Sequence, residues 1–333
     1  MLVSLLFALG QAAHSDPPKQ PPTGPGGAEY THEGVARTLF EGPFENGSRA
    51  SFWLFEPTPP PTDAAPTIAF FHGFGAGDPA NYGAWIDHLV RRGKVVVFPL
   101  YQSSERGGSD PEGFTSAAID SLRRALQVLS DGEHVAPDLD RIAFAGHAIG
   151  GMVAVEVAAR APKADLPSPK ALFAIEPGFT DTGRFGVFPR ADLSLIAKGT
   201  LLLSLVGDAD SIAGDLEASR IYLETTSIPA DDKDIVVLHS DDHGRPALNA
   251  HHLAPLSIDR RYTARKHDTP LGPREETDAL DYFGLWKLFD ALCDAGFDGL
   301  NREFALGNTP EQRYMGVWSD GWPVAEMGVM DLE

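Results

Sequence analysis

The chain has 333 residues, 43% hydrophobic, 9% aromatic and 22% charged, an ordinary globular composition that excludes collagen-like, coiled-coil and wholly disordered chains. Lys and Arg total 27 against 47 Asp and Glu, a formal charge of −20. So acidic a surface repels phosphate backbones and anionic membranes, which argues against nucleic-acid binding.

Met1 to Leu9 is nearly all apolar but too short to span a bilayer. Gly10, Ala12 and Ala13 follow, then a Pro/Gly-rich stretch from Pro17 to Gly27. This reads as a secretory leader with a cleavage zone and linker, residues 1–28, although no Lys or Arg precedes the apolar run. A secreted or periplasmic protein without stable membrane insertion is expected; a cytoplasmic chain with an irregular tail is the alternative.

Ala36–Phe40 and Ala50–Phe55 flank Asn46-Gly47 and read as an antiparallel hairpin. Pro66–Phe71 and Lys94–Tyr101 are strands, with a helix over Ala84–Arg92 between them. Asp110-Pro111-Glu112 caps a helix that carries apolar residues at helical spacing from Phe114 to Leu129 and closes at Gly132. Arg141–Ala145 is a strand and Gly150–Arg160 a helix. Ala171–Ile175, Leu201–Val206 and Asp234–His239 are three more strands, with a helix over Leu216–Glu224. Such alternation predicts an α/β fold with a mostly parallel sheet covered on both faces, residues 29–265. After Pro255 no strand is expected. A charged loop, Asp259–Glu276, leads to a helix over Asp278–Ala295, and residues 266–333 read as a helical extension packed on the core, with Trp318 and Trp322 as anchors. The single cysteine, Cys293, excludes an internal disulfide and a cysteine-based zinc site, and its apolar helical setting reads as packing.

The most informative stretch is IAFAGHAIGGMV, residues 142–153. A strand runs into Gly146-His147-Ala148-Ile149-Gly150-Gly151 and straight into a helix, the build of a nucleophile elbow, with glycines where neighbouring chains pass too close for a Cβ. The motif wants Ser at the centre, and position 148 is Ala, whose methyl cannot attack a carbonyl. Here the chain resembles the alpha/beta-hydrolase family of cutinase-, lipase- and dienelactone-hydrolase-like esterases.

That resemblance implies an acid and a histidine after later strands. It puts the acid at Asp210, in Gly207-Asp208-Ala209-Asp210-Ser211-Ile212-Ala213, with Asp208 the lesser candidate. The histidine is expected at His243, directly after its strand, with His251 and His252 as alternatives. His72-Gly73-Phe74-Gly75 matches the oxyanion loop, so the Phe74 and Ile149 amides would face the developing oxyanion. His147 reads as packing. The segment Glu176-Pro177-Gly178 stands where cutinase-like enzymes usually carry an aromatic clamp, and their C-terminal disulfide cannot form, so a small or medium ester is the safer class than a polyester.

Several competing readings are weaker. Gly73 to Asp78 fails the dinucleotide-loop spacing. His239, His243, His251 and His252 with Asp241 and Asp242 could suggest a metal site, but none is expected, and no cofactor is needed. Ser103 and Ser104 lack an elbow, and Trp85 is either near the pocket mouth or in the core. Two functions remain open. One is an esterase whose serine is replaced, acting on a small-molecule or polymeric ester. The other is a non-hydrolytic protein, either a binding module or one using the His–Asp pair as a bare general base.

Overall fold

Alternation decides which side of the sheet each strand residue joins. The computed structural model describes residues 14–42, 50–59, 62–102, 111–178, 188, 190–263 and 277–332. In β3 (Ala64–Phe71), Ile68 and Phe70 enter one apolar layer while Ala69 and Phe71 enter the other. β4 (Val95–Pro99) splits the same way, Val96 and Phe98 against Val95 and Val97.

The other strands are β1 (Gly34–Phe40), β2 (Phe52–Thr58), β5 (Ala136–His147), β6 (Ala171–Ile175), β7 (Leu201–Gly207), β8 (Lys233–Leu238) and β9 (Gly328–Val329). They form one sheet in the order β1-β2-β4-β3-β5-β6-β7-β8-β9. β1 pairs antiparallel with β2, and β2 antiparallel with β4, which bears out the leading hairpin. From β4 to β8 every pairing is parallel. Helices α1 (Gly83–Arg91) and α5 (Lys287–Asp298) cover one face; α2 (Pro111–Leu129) and α3 (Ile149–Arg160) cover the other, joined at its far end by α4 (Leu216–Glu224).

Three expectations change. Strands do not stop after Pro255, because β9 adds antiparallel to β8. The described part of 266–333 is less an appendage than a layer of the core: Leu288, Phe289, Ala291 and Leu292 of α5 are buried with Trp85 and Phe173. Nor is the described part of the Pro/Gly-rich segment a free linker. The Gly26 amide donates to Asp290 Oδ2 at 3.0 Å, and a Cβ at Gly26 would lie 2.2 Å from the Tyr282 carbonyl oxygen. The leader Met1–Ala13, the Asn46-Gly47 turn, Asp110, Ser103, Ser104 and most of the charged loop lie outside the described residues. Among the described residues no helix is long and apolar enough to cross a membrane.

Asp290 ties this layer together from a fully buried position. Its carboxylate meets His88 Nε2 at 2.8 Å, Arg92 Nε at 3.2 Å and Lys94 Nζ at 3.5 Å. Burial opposes its ionisation, but the charges of Lys94 and Arg92 and the His88 hydrogen bond outweigh that and hold the carboxyl far below the ordinary range. Replacing Asp290 by Ala leaves two cations without their counter-charge in an apolar layer. Urea unfolding should show a loss of about 3–5 kcal/mol, and a loss under about 1 kcal/mol would contradict this account.

Candidate active site

β5 ends at His147 and α3 begins at Ile149, so Ala148 alone makes the turn, at φ 55° and ψ −122°. A backbone so placed costs about 1–3 kcal/mol for a non-glycine residue and persists only where packing enforces it. Here packing does. A Cβ at Gly146 would lie 2.1 Å from the Gly150 carbonyl oxygen, and one at Gly150 would lie 2.2 Å from that of Phe71. The Ala148 amide donates to the Ile175 carbonyl at 2.9 Å, which fastens the turn to β6.

The loop after β3 lies alongside. A Cβ built on Gly73 would stand 3.7 Å from the Ala148 methyl. His72 stacks on Tyr101 at 4.2 Å between ring centres, and burial pushes its imidazole down to about 4. His147 Nε2 lies 2.8 Å from the His252 carbonyl oxygen, which can only accept, so Nε2 carries the proton. His147 Nδ1 therefore accepts from the Tyr82 hydroxyl at 2.9 Å, and that oxygen accepts from the Gly73 amide at 2.9 Å. Burial pushes His147 down to about 4, which keeps it neutral as this relay requires. His147 thus does more than pack: it joins the loop after β3 to the backbone of His252.

Asp210 projects from the loop after β7. Its Oδ1 accepts from the Ile212 and Ala213 amides at 2.7 and 3.0 Å, and its Oδ2 lies 2.9 Å from His252 Nδ1. Burial would raise the carboxyl, but the His252 bond and the two amides outweigh it and hold Asp210 below the usual range. Asp208 has a different task. It accepts from the Ser240 hydroxyl at 2.6 Å and the Ser240 amide at 2.9 Å, clamping the β7 loop to the β8 loop.

The histidine beside Asp210 is His252, and the expectation of His243 is corrected. After β8 the chain makes an excursion closed by the bridge between Asp241 and Leu248. His243 lies on that excursion, 2.8 Å from Asp320 and stacked on Trp322. It is the return leg that passes Ala209, whose amide donates to the Ala250 carbonyl at 3.1 Å, and that brings His252 to Asp210. His251 Nδ1 accepts from the Leu253 amide at 3.0 Å.

One residue of the site was noticed in the sequence only as a departure from the aromatic clamp. Glu176, at the end of β6, is fully buried, with Oε2 3.5 Å from His147 Nε2 and 3.7 Å from His252 Nδ1. Burial, reinforced by the Asp210 charge, pushes its carboxyl well up despite the pull of His252. An acid ending the apolar run ALFAI, followed by Pro177-Gly178, was the available signal, since parallel strands present their functional groups at their carboxyl ends.

The surface histidines do not converge: His239 pairs with Asp208, and His243 with Asp320. Among the described residues, the group whose ligand atoms could hold a metal is His147, Glu176 and His252, within 4.8 Å of one another. Two of those atoms are already engaged, with the His252 carbonyl and with Asp210. Trp85 is fully buried and edge-on to Phe70 and Phe289, not at a pocket mouth. Trp318 is a buried anchor whose indole donates to Asp241 at 3.1 Å, whereas Trp322 is 61% exposed.

A mostly parallel sheet of this order, turning from β5 into α3 through a strained elbow, is the alpha/beta-hydrolase fold, and here an acid–histidine pair lies beyond β7 and β8. The chlorophyllase family model matches residues 49–184, from just before β2 to just past β6. Esterase LipI of Mycobacterium tuberculosis is 32% identical over 143 residues, 42% of this chain and 42% of its own length. The protein named Putative carbamate hydrolase RutD, of Agrobacterium fabrum, is 34% identical over 104 residues, 31% of this chain and 36% of its own. The chain thus spans less than half the length of each of these curated relatives.

The crowding at the elbow makes a sharp demand. Gly150→Ala places a methyl carbon against backbone oxygens of Phe71 and His72 that cannot rotate away. Thermal unfolding should register a destabilisation of about 1–3 kcal/mol or more, and a fully native melting curve would refute the packing described.

Proposed function

We propose that this chain carries the acyl-transfer machinery of a serine-type carboxylic ester hydrolase, with Ala148 in the nucleophile position and hence very little turnover as it stands. The observation that carries the reading is a conjunction. The strained elbow is retained around Ala148, and the imidazole of His252 is held by an ionised, amide-anchored Asp210 at 2.9 Å.

With serine at 148, His252 would accept the hydroxyl proton through Nε2, because Nδ1 is committed to Asp210. Asp210 would hold the tautomer and stabilise the imidazolium. The Ile149 amide, first in α3 and so without an acceptor inside the helix, would bind the oxyanion together with the Phe74 amide. Water activated by His252 would then release the acid. No cofactor enters this scheme.

For substrate we propose a small or medium ester with an apolar acyl or alcohol part. Phe74 beside the oxyanion loop and Ile212 beside the acid are 43% and 40% exposed, apolar groups on the two loops that would frame the mouth. The printed names of the relatives, an esterase and a carbamate hydrolase, accord with hydrolysis at an acyl carbon.

Ala148→Ser should raise turnover of p-nitrophenyl esters by on the order of 10⁶ and confer fluorophosphonate labelling. In that background His252→Ala should abolish the gain and His243→Ala should leave it intact. If a well-folded Ala148→Ser protein neither labels nor turns over any ester, the hydrolase reading fails. The His252–Asp210 pair would then point to non-hydrolytic general-base chemistry.

A further inference from the structure

The acyl transfer set out above makes no use of Glu176, yet the fold is built around its carboxyl. Buried polar groups almost always find hydrogen-bond partners. Glu176 is fully buried, and neither of its carboxyl oxygens has one. Its backbone sits at φ 44°, with its amide donating to the Leu205 carbonyl at 2.7 Å. On the neighbouring strand, Gly207 leaves the space the carboxyl occupies: a Cβ there would stand 2.8 Å from Oε1.

What the carboxyl faces is His252. Two acids on adjacent strand ends converge on one imidazole nitrogen, Asp210 Oδ2 at 2.9 Å and Glu176 Oε2 at 3.7 Å from Nδ1. The other titratable neighbour in direct reach is His147, which is bonded in turn to Tyr82. Two carboxylates this close do not both ionise, and the better-bonded one keeps the charge. Asp210 has two amide donors, whereas Glu176 has none, so the pocket carries a single negative charge, on Asp210.

We propose that Glu176 is a positioning residue for His252: a reserve acid that flanks its Nδ1–H and becomes the acceptor when Asp210 is removed. Burial is the larger cause of Glu176 protonation and the Asp210 charge the smaller; on loss of that charge the repulsion is gone and the His252 Nδ1–H is left without an acceptor, so a bond to it favours the ionised form. Glu176 releases its proton to solvent and a small side-chain rotation brings Oε2 onto Nδ1–H. The number of negative charges opposite the imidazole is unchanged, and so is the tautomer.

The test has two arms, of which only the second rests on the ester-hydrolase reading. In the chain as it stands, imidazole ¹H–¹⁵N spectra report the His252 Nδ1–H proton directly. Asp210→Asn alone should retain that downfield signal, and Asp210→Asn combined with Glu176→Gln should lose it. Glu176→Gln alone, isosteric with the neutral acid, should leave the signal and the His252 titration in place while Asp210 is present, and Glu176→Met, combined with Asp210→Asn, provides a second double variant that removes the unpartnered polar group. The proposal is overturned if Asp210→Asn alone loses the signal, if either double variant keeps it, or if Glu176→Gln alone displaces the His252 titration as loss of a charge would. In the Ala148→Ser background, Asp210→Asn should lower kcat by about 10²-fold instead of the roughly 10⁴-fold expected for an unsupported imidazole, and the double variant should restore the full loss. Positive spectra without ester turnover would retain the reserve acid and sink the hydrolase reading; a full 10⁴-fold loss for Asp210→Asn alone would sink the reserve acid.

Discussion

Three backbones meet in contact where β5 turns into α3, and the site depends on that crowding. Gly150 is pressed against the carbonyl oxygens that end β3, Gly146 against Gly150, and the Ala148 amide is tied to the last residue of β6. Residue 148 has no freedom to relax, so it holds a backbone geometry that a lone alanine would otherwise avoid. The same contact sets the loop after β3 beside the methyl of Ala148 and places the end of β6, with Glu176, behind it. Once the elbow is fixed, only the side chains from the β7 and β8 loops have to be delivered to it.

Delivery of those side chains explains which parts of the site could be read in the sequence. The elbow and the loop after β3 are local: each is a strand, a glycine pattern and a helix or turn, so IAFAGHAIGGMV and His72-Gly73-Phe74-Gly75 announce their own places. The strands were legible for a related reason, since two-sided burial gives unbroken apolar runs such as VVVFP and ALFAI. The histidine is not local. Reading it as the one directly after β8 presumes a short connection, whereas the chain first makes a bridged excursion and returns along Ala209 before presenting His252. His243 has the right neighbours in sequence but the wrong leg of the loop in space. The tail residues were missed for another reason: a Pro/Gly-rich composition describes local stiffness and says nothing about the Asp290 carboxylate waiting for the Gly26 amide.

That carboxylate also shows how the two ends of the chain are made part of one body. Asp290 draws on α1, the edge of β4, the segment before β1 and its own helix. Deep burial makes such a cluster costly unless every partner is present, and the costs fall together when one is lost. His88 completes the arrangement as a donor to Asp290 through Nε2, while the Tyr30 hydroxyl, 3.3 Å from Nδ1, can supply the proton that the other nitrogen lacks. Burial presses His88 toward its neutral form, which this pattern of one donated and one accepted bond requires. The apolar face opposite α3 is thereby closed by Gly26 from the segment before β1 and by Asp290 of α5, far apart along the chain.

Polar groups at the strand ends are arranged on a different logic. In the Asp290 cluster every acceptor is matched, whereas at the elbow an unpartnered Glu176 carboxyl, an unpartnered His72 Nε2 and a strained Ala148 are kept within one region. Each of these departures lowers stability, and an apolar replacement of similar shape would be neutral or better. Unfavourable groups at the carboxyl ends of parallel strands fit what a functional site requires, because pre-organised polarity must be held ready for a charge that appears only during reaction. Ala148 is therefore best understood together with its surroundings. The methyl group gains nothing from the strain, but on the reading proposed above the donors, the His252–Asp210 pair and the second carboxyl are placed for a reacting atom at that position.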